Sequence, residues 1–224
     1  MKVSEITVDY LDHMGSDLTV VNAARVSMSK WHKSFADIRD TSLIEYLAEH
    51  NHWSPFAHAF LQVRIKAPIF VARQLVKHQV GLAWNEVSRR YVDSEPEYYL
   101  PELRERAENV KQGSLDKAIE KVIDVDGKEM PSKYLCKWQL ELCDMFYNTL
   151  LENGVAPECA RAFLPLTTMT QWIWSGSLYA FARVCNLRLD KHAQKETRLV
   201  AEQIFKLLEM YFPVSTKALI HVGD

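Results

Sequence analysis

Gly81 divides the stretch Arg73–Tyr91, RQLVKHQVGLAWNEVSRRY, into a helix-like half and a strand-like half. Before the glycine, apolar residues recur at helical spacing, and Arg73 and Lys77 lie four residues apart on another face of the same helix. After the glycine, residues 85–91 alternate as a strand does, because successive side chains of a strand point to opposite faces. This pattern constrains the chain to place a helix, a tight turn and a strand in direct succession.

Positive charge is concentrated in this stretch, although the formal net charge of the chain is only −2. Such a local cluster indicates an anionic ligand, because a protein that coats nucleic acid usually carries its excess charge over the whole domain. The strand-like half places Glu86, Ser88 and Arg90 on one side. Arginine offers a planar fork for phosphate oxygens and serine a short donor. We therefore predict a phosphate site here; a solvated helix face followed by an edge strand is the structural alternative.

The rest of the chain predicts a mixed fold. Its 224 residues, of which 48% are hydrophobic, can bury a substantial core in one domain. Strand-like segments alternate with amphipathic helical ones, and helical patterns dominate the second half, so we predict an α/β or α+β domain with a helix-rich C-terminal half. Residues 95–132 are polar and charged, and we interpret them as an insertion, helical in part, over or beside the site.

The composition favours a cytoplasmic protein. No apolar run is long enough to span a bilayer, and the N-terminal residues lack the apolar core of a signal peptide. The cysteines form no CxxC pair and occur in helix-like, apolar surroundings, which predicts reduced core thiols rather than disulfides or a metal site. They are Cys136, Cys143, Cys159 and Cys185.

Three histidines, His50, His52 and His58, lie close together in the sequence. Imidazoles can bind zinc, but these histidines lack partners at the spacing of a metal site. We therefore favour stacking, hydrogen-bonding or purely structural roles for them over metal binding.

Two arginines outside the basic stretch are candidate ligand contacts. Arg161 follows Glu158 by three residues, so the two side chains share a helix face and a routine intrahelical pair is the structural interpretation. Arg188 lies in an otherwise apolar helical segment, where a guanidinium needs a carboxylate or a ligand as its partner. Asp190 is the structural candidate for that partner. Because the sequence contains no Gly-rich phosphate loop, nucleophile elbow or paired carboxylates, the chemistry must come from a cofactor or from arginine and histidine electrostatics.

The basic stretch resembles the central motif of the flavin-dependent thymidylate synthases. That motif reads Arg-His-Arg, seven residues, then Ser, and here it stands as Lys77-His78-Gln79, eight residues, then Ser88. Further landmarks occur in family order: AARVS at Ala23–Ser27, HWSPFAH at His52–His58, ECARAFLP at Glu158–Pro165 and NLR at Asn186–Arg188. The resemblance covers most of the chain and is specific, and it includes divergent, viral-type members of the family.

The resemblance implies a single domain over residues 1–224, with a twisted, mostly antiparallel sheet flanked by helices. It also implies FAD as cofactor, NADPH as reductant and methylenetetrahydrofolate as the one-carbon donor, with transfer to C5 of a pyrimidine deoxynucleoside monophosphate. The family forms a homotetramer with shared active sites and involves neither nucleic acid nor a membrane. Such an enzyme is expected in the cytoplasm, or in the host cytoplasm if it is viral.

The family motifs also imply roles for individual residues. The nucleotide phosphate and ribose would be held by Gln74, Ser88, Arg90 and Arg161. The catalytic candidates are Arg188, which would contact the pyrimidine ring and stabilise the negative charge developing on it, His52, and Glu86, which would lie between flavin and nucleotide. The flavin would be held by Ser54, Lys77, His78, Gln79, Ser177 and Arg183.

Several positions depart from the family pattern on the flavin side. Lys77 and Gln79 replace two arginines, and Ala57 stands where an acidic flavin contact is common. Ser177 and Tyr179 stand where Asn and Arg are usual. The amide of Gln79 can present either its oxygen or its nitrogen, so it does not select uracil over cytosine.

We interpret the chain as a thymidylate synthase that converts dUMP to dTMP. Hydroxymethylation of dCMP on the same scaffold is the alternative, in which water rather than hydride ends the reaction. A non-catalytic nucleotide or single-strand nucleic-acid binding module is an alternative of another class, against which the near-neutral charge argues.

Overall fold

A computed structural model describes residues 1–108 and 113–221, so positions 109–112 of the predicted insertion lie outside the described residues. The β-strands are β1 (Lys2–Val3), β2 (Thr7–Met14), β3 (Phe60–Pro68), β4 (Leu82–Glu86), β5 (Glu97–Tyr98), β6 (Arg104–Arg106), β7 (Ser114–Ala118), β8 (Lys121–Ile123), β9 (Glu129–Pro131) and β10 (Met169–Ser177). The α-helices are α1 (Asp17–Arg25), α2 (Asp37–Glu49), α3 (Ile69–Leu75), α4 (Ser132–Glu152), α5 (Pro157–Ala160), α6 (Leu178–Arg188), α7 (Lys195–Tyr211) and α8 (Pro213–Leu219). Short 3₁₀ turns span Val26–Met28, Ser54–His58 and Arg161–Phe163.

The chain divides into two compact units. Unit 1 comprises Met1–Ile6, Lys66–Gln74 and Glu86–Gln171. Unit 2 comprises Thr7–Ile65, Leu75–Asn85 and Trp172–Asp224, of which residues 222–224 lie outside the described part.

Most of a four-stranded antiparallel sheet belongs to unit 2, with the strand order β2-β3-β10-β4. Its strand β10 is rich in aromatic and β-branched residues, which favour strands, and it buries Trp172 and Trp174. Trp84 of β4 stacks on Trp172 with ring centroids 4.3 Å apart and meets Trp174 edge-on at 5.5 Å. Such cross-strand aromatic pairs stabilise the pairing of β4 with β10.

Helix α6 of unit 2 begins where β10 ends. The hydroxyl of Ser177 accepts a hydrogen bond from the backbone N–H of Ala180 at 3.2 Å, which caps the first turn. Phe181 and Val184 are fully buried on the helix. The helix ends at Arg188, where a cation interacts favourably with the helix dipole.

Unit 1 is organised around the long helix α4. The buried side chain of Tyr98 donates a hydrogen bond from its hydroxyl to Asp144 of this helix at 3.0 Å. Three two-stranded sheets accompany the helix: β1 pairs with β5 in parallel, and β6 with β7 and β8 with β9 are antiparallel.

The mixed fold, the antiparallel sheet and the helix-rich C-terminal half confirm the sequence prediction. Two local predictions were wrong. The predicted strand over residues 85–91 is the strand Leu82–Glu86, so Ser88 and Arg90 lie in the turn that follows it. In their described part, residues 95–131 form the strands β5 to β9 and no helix.

The predictions from composition had mixed outcomes. Cys185 is a buried core thiol, as predicted, whereas Cys159 is exposed. Cys136 and Cys143 are half-buried. Among the described residues, no helix combines the length and the apolarity needed to cross a membrane.

Candidate functional site

A cavity of about 630 Å³ in unit 1 is lined by three arginines, and we call it the anion cavity. Arg73 comes from α3, Arg89 from the turn after β4 and Arg161 from a 3₁₀ turn. Arg89 donates to the backbone oxygen of Ser94 at 2.9 Å, and Arg161 donates through Nε to the backbone oxygen of Glu158 at 3.4 Å. In the described part of the chain neither Arg73 nor Arg161 forms an ion pair with a carboxylate, so both charges are available to an anionic ligand.

Carboxylates also line the anion cavity, but two of them are held by other groups of the protein. Glu86, the last residue of β4, accepts a hydrogen bond from the hydroxyl of Thr170 at 2.8 Å. Glu97 pairs with Lys66, whose hydrogen bond is the main cause that lowers the pKa of Glu97 to about 2. The remaining acidic residues of the lining are Glu95 and Glu158.

Ser88 and Arg90 contact each other in the turn after β4. The Nε of Arg90 donates to the Ser88 hydroxyl oxygen at 3.2 Å, and its guanidinium carbon lies 5.0 Å from the centroid of the Tyr91 ring. The hydroxyl proton of Ser88 remains available to a ligand, because an oxygen that accepts a hydrogen bond keeps its own donor. The described lining of the anion cavity does not include Ser88, Arg90 or Gln74, although all three belong to unit 1.

In unit 2, Arg188 is hydrogen-bonded to His78. Its Nε donates to Nε2 of the imidazole over 3.1 Å. The pairing with Asp190 that the sequence offered as an alternative was wrong, because among the described residues no ion pair joins it to Arg188; Oδ1 of Asp190 instead accepts from the backbone N–H of His192 at 2.7 Å. Burial, and then the charges of Arg188 and Arg183, lower the pKa of His78. The imidazole is therefore neutral at pH 7 and can accept the bond.

A second cavity, of about 730 Å³, lies in unit 2, and its lining is mostly apolar. In this apolar cavity the rings of Trp53 and Tyr179 lie with their centroids 6.1 Å apart. Beside this cavity, Gly81 and Gly176 let the strands β4 and β10 approach each other closely. Gly81 has a φ of +77°. A Cβ atom on Gly176 would lie 2.6 Å from the carbonyl oxygen of Gly81. Arg183 supplies a positive charge to the lining.

The apolar cavity fits a planar aromatic cofactor such as a flavin. Small-molecule sites are typically about 300–1,000 Å³ in volume, with apolar and aromatic walls and a few polar groups. Here Trp53 and Tyr179 supply the aromatic walls, and Ser177 and Arg183 supply a hydroxyl and a charge.

The site residues predicted from the sequence divide between the two units. Unit 1 contains Gln74, Glu86, Ser88, Arg90 and Arg161. Unit 2 contains His52, Ser54, Lys77, His78, Gln79, Ser177, Arg183 and Arg188. Among the described residues, Glu86 and Arg161 line the anion cavity, and Ser177 and Arg183 line the apolar cavity. The exposed residues His52, Ser54, Lys77 and Gln79 line neither.

Three residues of the anion cavity were not among the site residues assigned from the sequence. Arg73 and Arg89 stand in the basic stretch, so charge alone could have included them among the site candidates. Thr170 gave no signal, because its partner Glu86 is 84 positions away.

The cavity of unit 1 presents arginines suited to an anionic ligand, and that of unit 2 presents apolar and aromatic walls suited to an aromatic cofactor, which together indicate a nucleotide- and cofactor-binding class of protein. Residues 9–214 match the family model described as thymidylate synthase complementing protein. The chain belongs to this family, the flavin-dependent thymidylate synthases, as its resemblance predicted.

Curated relatives and solved structures agree with this membership. A flavin-dependent thymidylate synthase of Thermosipho africanus is 37% identical over 213 residues, covering 94% of this chain and 89% of the relative. A flavin-dependent thymidylate synthase of Treponema denticola is 36% identical over 208 residues, covering 92% and 75%. The crystal structure of a UMP/dUMP methylase, PolB from Streptomyces cacaoi bound with 5-Br dUMP, superposes with a TM-score of 0.82 at 29% identity, covering 97% of this chain and 96% of that one. The chain is therefore a flavin-dependent enzyme of the thymidylate synthase type.

Proposed function

We propose that this enzyme transfers a one-carbon unit from methylenetetrahydrofolate to C5 of dUMP and so makes dTMP, with FAD as cofactor and NADPH as reductant. The anion cavity carries the proposal. Among the described residues, Arg73 and Arg161 line it without forming ion pairs with carboxylates, so both can make charge-assisted contacts to phosphate oxygens. The structural neighbour that binds 5-Br dUMP supports a pyrimidine nucleotide as the substrate.

The phosphate and ribose are assigned to residues of unit 1. Arg161 offers two-point contact to phosphate oxygens through its planar fork, and Ser88 offers its hydroxyl proton. Arg90 approaches the ligand together with Ser88, to which it is hydrogen-bonded at 3.2 Å. Gln74 completes the set through its amide.

The pyrimidine ring is assigned to Arg188. Transfer to C5 develops negative charge on the ring, and a preorganised guanidinium stabilises that charge more in the transition state than in the ground state. The bond to His78 occupies Nε of this arginine and leaves its two terminal nitrogens for the ring. His52 and Glu86 are the further catalytic candidates.

The flavin is assigned to unit 2, where Ser177 and Arg183 line the apolar cavity. The other residues proposed to hold it are Ser54, Lys77, His78 and Gln79. When bound, the flavin supplies the hydride that completes the methyl group. The protein's part is to exclude water through Trp53 and Tyr179 and to orient the ring with Arg183.

We propose that the enzyme assembles as a homotetramer with shared active sites. Four large apolar residues of α4 support self-association, because each is at least 40% exposed: Tyr134, Trp138, Leu142 and Met145. They follow one another at intervals of four, four and three residues and so share one helix face. Monomeric proteins rarely expose a contiguous apolar patch of this kind.

Replacing Arg161 or Arg90 with alanine is expected to weaken dUMP binding by about 1.5–3 kcal/mol each, which is roughly tenfold to 150-fold in Kd. Each change removes a charge-assisted contact to the phosphate. Calorimetric titration with dUMP and with deoxyuridine measures it, since only the monophosphate should lose affinity.

The matched control is Arg106→Ala, which removes an exposed arginine of unit 1 outside the described lining of the anion cavity. It should change the affinity by less than about 0.5 kcal/mol. Unchanged dUMP affinity in both Arg161→Ala and Arg90→Ala would show that the phosphate binds elsewhere.

A further inference from the structure

The hydrogen bond between His78 and Arg188 joins residues that are 110 positions apart in the sequence. His78 follows α3 closely, and Arg188 is the last residue of α6. Both side chains are half-buried. A hydrogen bond in such partly desolvated surroundings is stronger than one at the surface, so it can hold both groups in a fixed relation.

The bond fixes the guanidinium group at one corner only. Arg188 donates its single Nε–H to the imidazole, and the four N–H groups of its two terminal nitrogens remain available as donors. Because the guanidinium is planar, anchoring Nε limits rotation of the whole plane. The direction in which the two terminal nitrogens point is therefore set by the position of His78.

We propose that His78 is a positioning residue that acts through Arg188: its unprotonated Nε2 fixes the guanidinium plane so that both terminal nitrogens meet the pyrimidine ring. This role rests on the proposed contact between Arg188 and the nucleotide. It is a second role for His78, separate from the flavin contact proposed above, and it does not depend on bound flavin.

The protonation state of His78 decides whether the bond exists. An imidazolium carries a proton on both nitrogens and cannot accept from Arg188. Within the described chain, the charges that act on the imidazole are those of Arg188 and Arg183 on α6, and Lys77 is its neighbour in the chain. Burial and the two arginines lower the pKa of His78 below its ordinary value. The bond is thus intact at neutral pH and is lost as the pH falls through this lowered pKa, where turnover should decline.

Two variants separate the acceptor from the bulk of the side chain. His78→Leu keeps a similar volume without an acceptor, and His78→Gln offers an amide oxygen near the position of Nε2 that does not titrate. We expect His78→Leu to lower kcat by about 30-fold with the KM for dUMP changed by less than about threefold, since a slightly misplaced group costs turnover more than binding. His78→Gln should keep about ten times more turnover than His78→Leu and should lose the decline of kcat at acid pH.

His192→Leu, at an exposed histidine, is the control, and its kcat should stay within about twofold of the wild-type value.

Two measurements distinguish positioning from flavin binding. In an Arg188→Ala background, His78→Leu should lower kcat by less than about twofold further, because residues that act as one unit are not additive. In flavin-free protein, nitrogen NMR of the imidazole should show a proton on Nδ1 at neutral pH, and Arg188→Ala should raise the pKa of His78.

Three outcomes would overturn the proposal: equal losses of kcat in His78→Leu and His78→Gln, additive losses of kcat in the double variant, or a loss of kcat that follows the flavin content. A wild-type enzyme inactive on dUMP would refute the proposed function instead, and the NMR result would still decide the bond.

Discussion

Replacing Arg188 with lysine is expected to lower kcat by about 100-fold, the size of effect seen when one preorganised donor to a developing charge is lost. Affinity for dUMP should fall by less than about tenfold, because the lysine retains the positive charge. A lysine ammonium is a point charge with no planar fork, so it cannot donate to His78 and present two fixed donors to the ring together. Steady-state kinetics beside calorimetric binding of dUMP measures the two quantities separately.

A matched surface variant controls for the loss of an arginine. Arg64 of unit 2 pairs with Asp9 at 2.9 Å, and both side chains are about half exposed. Arg64→Lys should therefore leave kcat within about twofold of wild type. If Arg188→Lys were less stable to heat but fully active per folded molecule, the role of this arginine would be structural and the assignment would be wrong.

Replacing Asp40 with alanine is expected to lower the free energy of unfolding by about 3–5 kcal/mol, because it breaks a buried ion pair by removing one partner. The carboxylate is fully buried, and it accepts from Nη2 of Arg25 at 2.7 Å and from the backbone N–H of Ala36 at 2.8 Å. Burial raises the pKa of Asp40, but the hydrogen bonds from Ala36 and Arg25 outweigh burial and leave the pKa below its ordinary value. Without Asp40, the buried guanidinium of Arg25 has no counter-charge at this position.

Urea denaturation monitored by circular dichroism measures this loss. The urea concentration at the unfolding midpoint should fall, and the dependence of the unfolding free energy on urea should keep its slope. Asp9→Ala is the control, since it removes an exposed carboxylate whose pair with Arg64 contributes about 0–1 kcal/mol. A loss below about 1 kcal/mol in Asp40→Ala would show that the buried pair does not stabilise unit 2.

The parts of the fold with strong periodicity were predictable from the sequence. The helical spacing over residues 133–153 predicts a long helix, and α4 spans Ser132–Glu152. The strand after Gly81 was misplaced because alternation over a few residues also fits a turn. The carbonyl of Ser88 accepts from the backbone N–H of Tyr91 at 3.0 Å, which closes such a turn.

Residues 95–132 were misjudged for a different reason. Their strands are two to five residues long, and apart from β5, whose Tyr98 is buried, they are mostly exposed, so no apolar alternation marks them. The strands β6 to β9 pair locally, as β8 and β9 do around Gly127 with its φ of +81°. Short exposed hairpins of this kind are specified by turn geometry rather than by a buried face.

The sequence predicted a basic site, but its contacts could not be predicted. Arg73 and Arg89 of the basic stretch line a cavity together with Arg161, whereas Ser88 and Arg90 are outside its described lining. The hydrogen bonds from Arg188 to His78 and from Thr170 to Glu86 join distant segments of the chain, so no local spacing in the sequence could reveal them. They depend on how the strands and helices fold together.

The central claim is tested most directly by determining which base the enzyme modifies and which product it forms. The enzyme is incubated with FAD, NADPH and methylenetetrahydrofolate, and either dUMP or dCMP, and the nucleotide products are identified by mass spectrometry. The account predicts a methylated uracil nucleotide from dUMP and no product from dCMP. A hydroxymethylated cytosine nucleotide, with dUMP left unchanged, would contradict it in both the base and the final step.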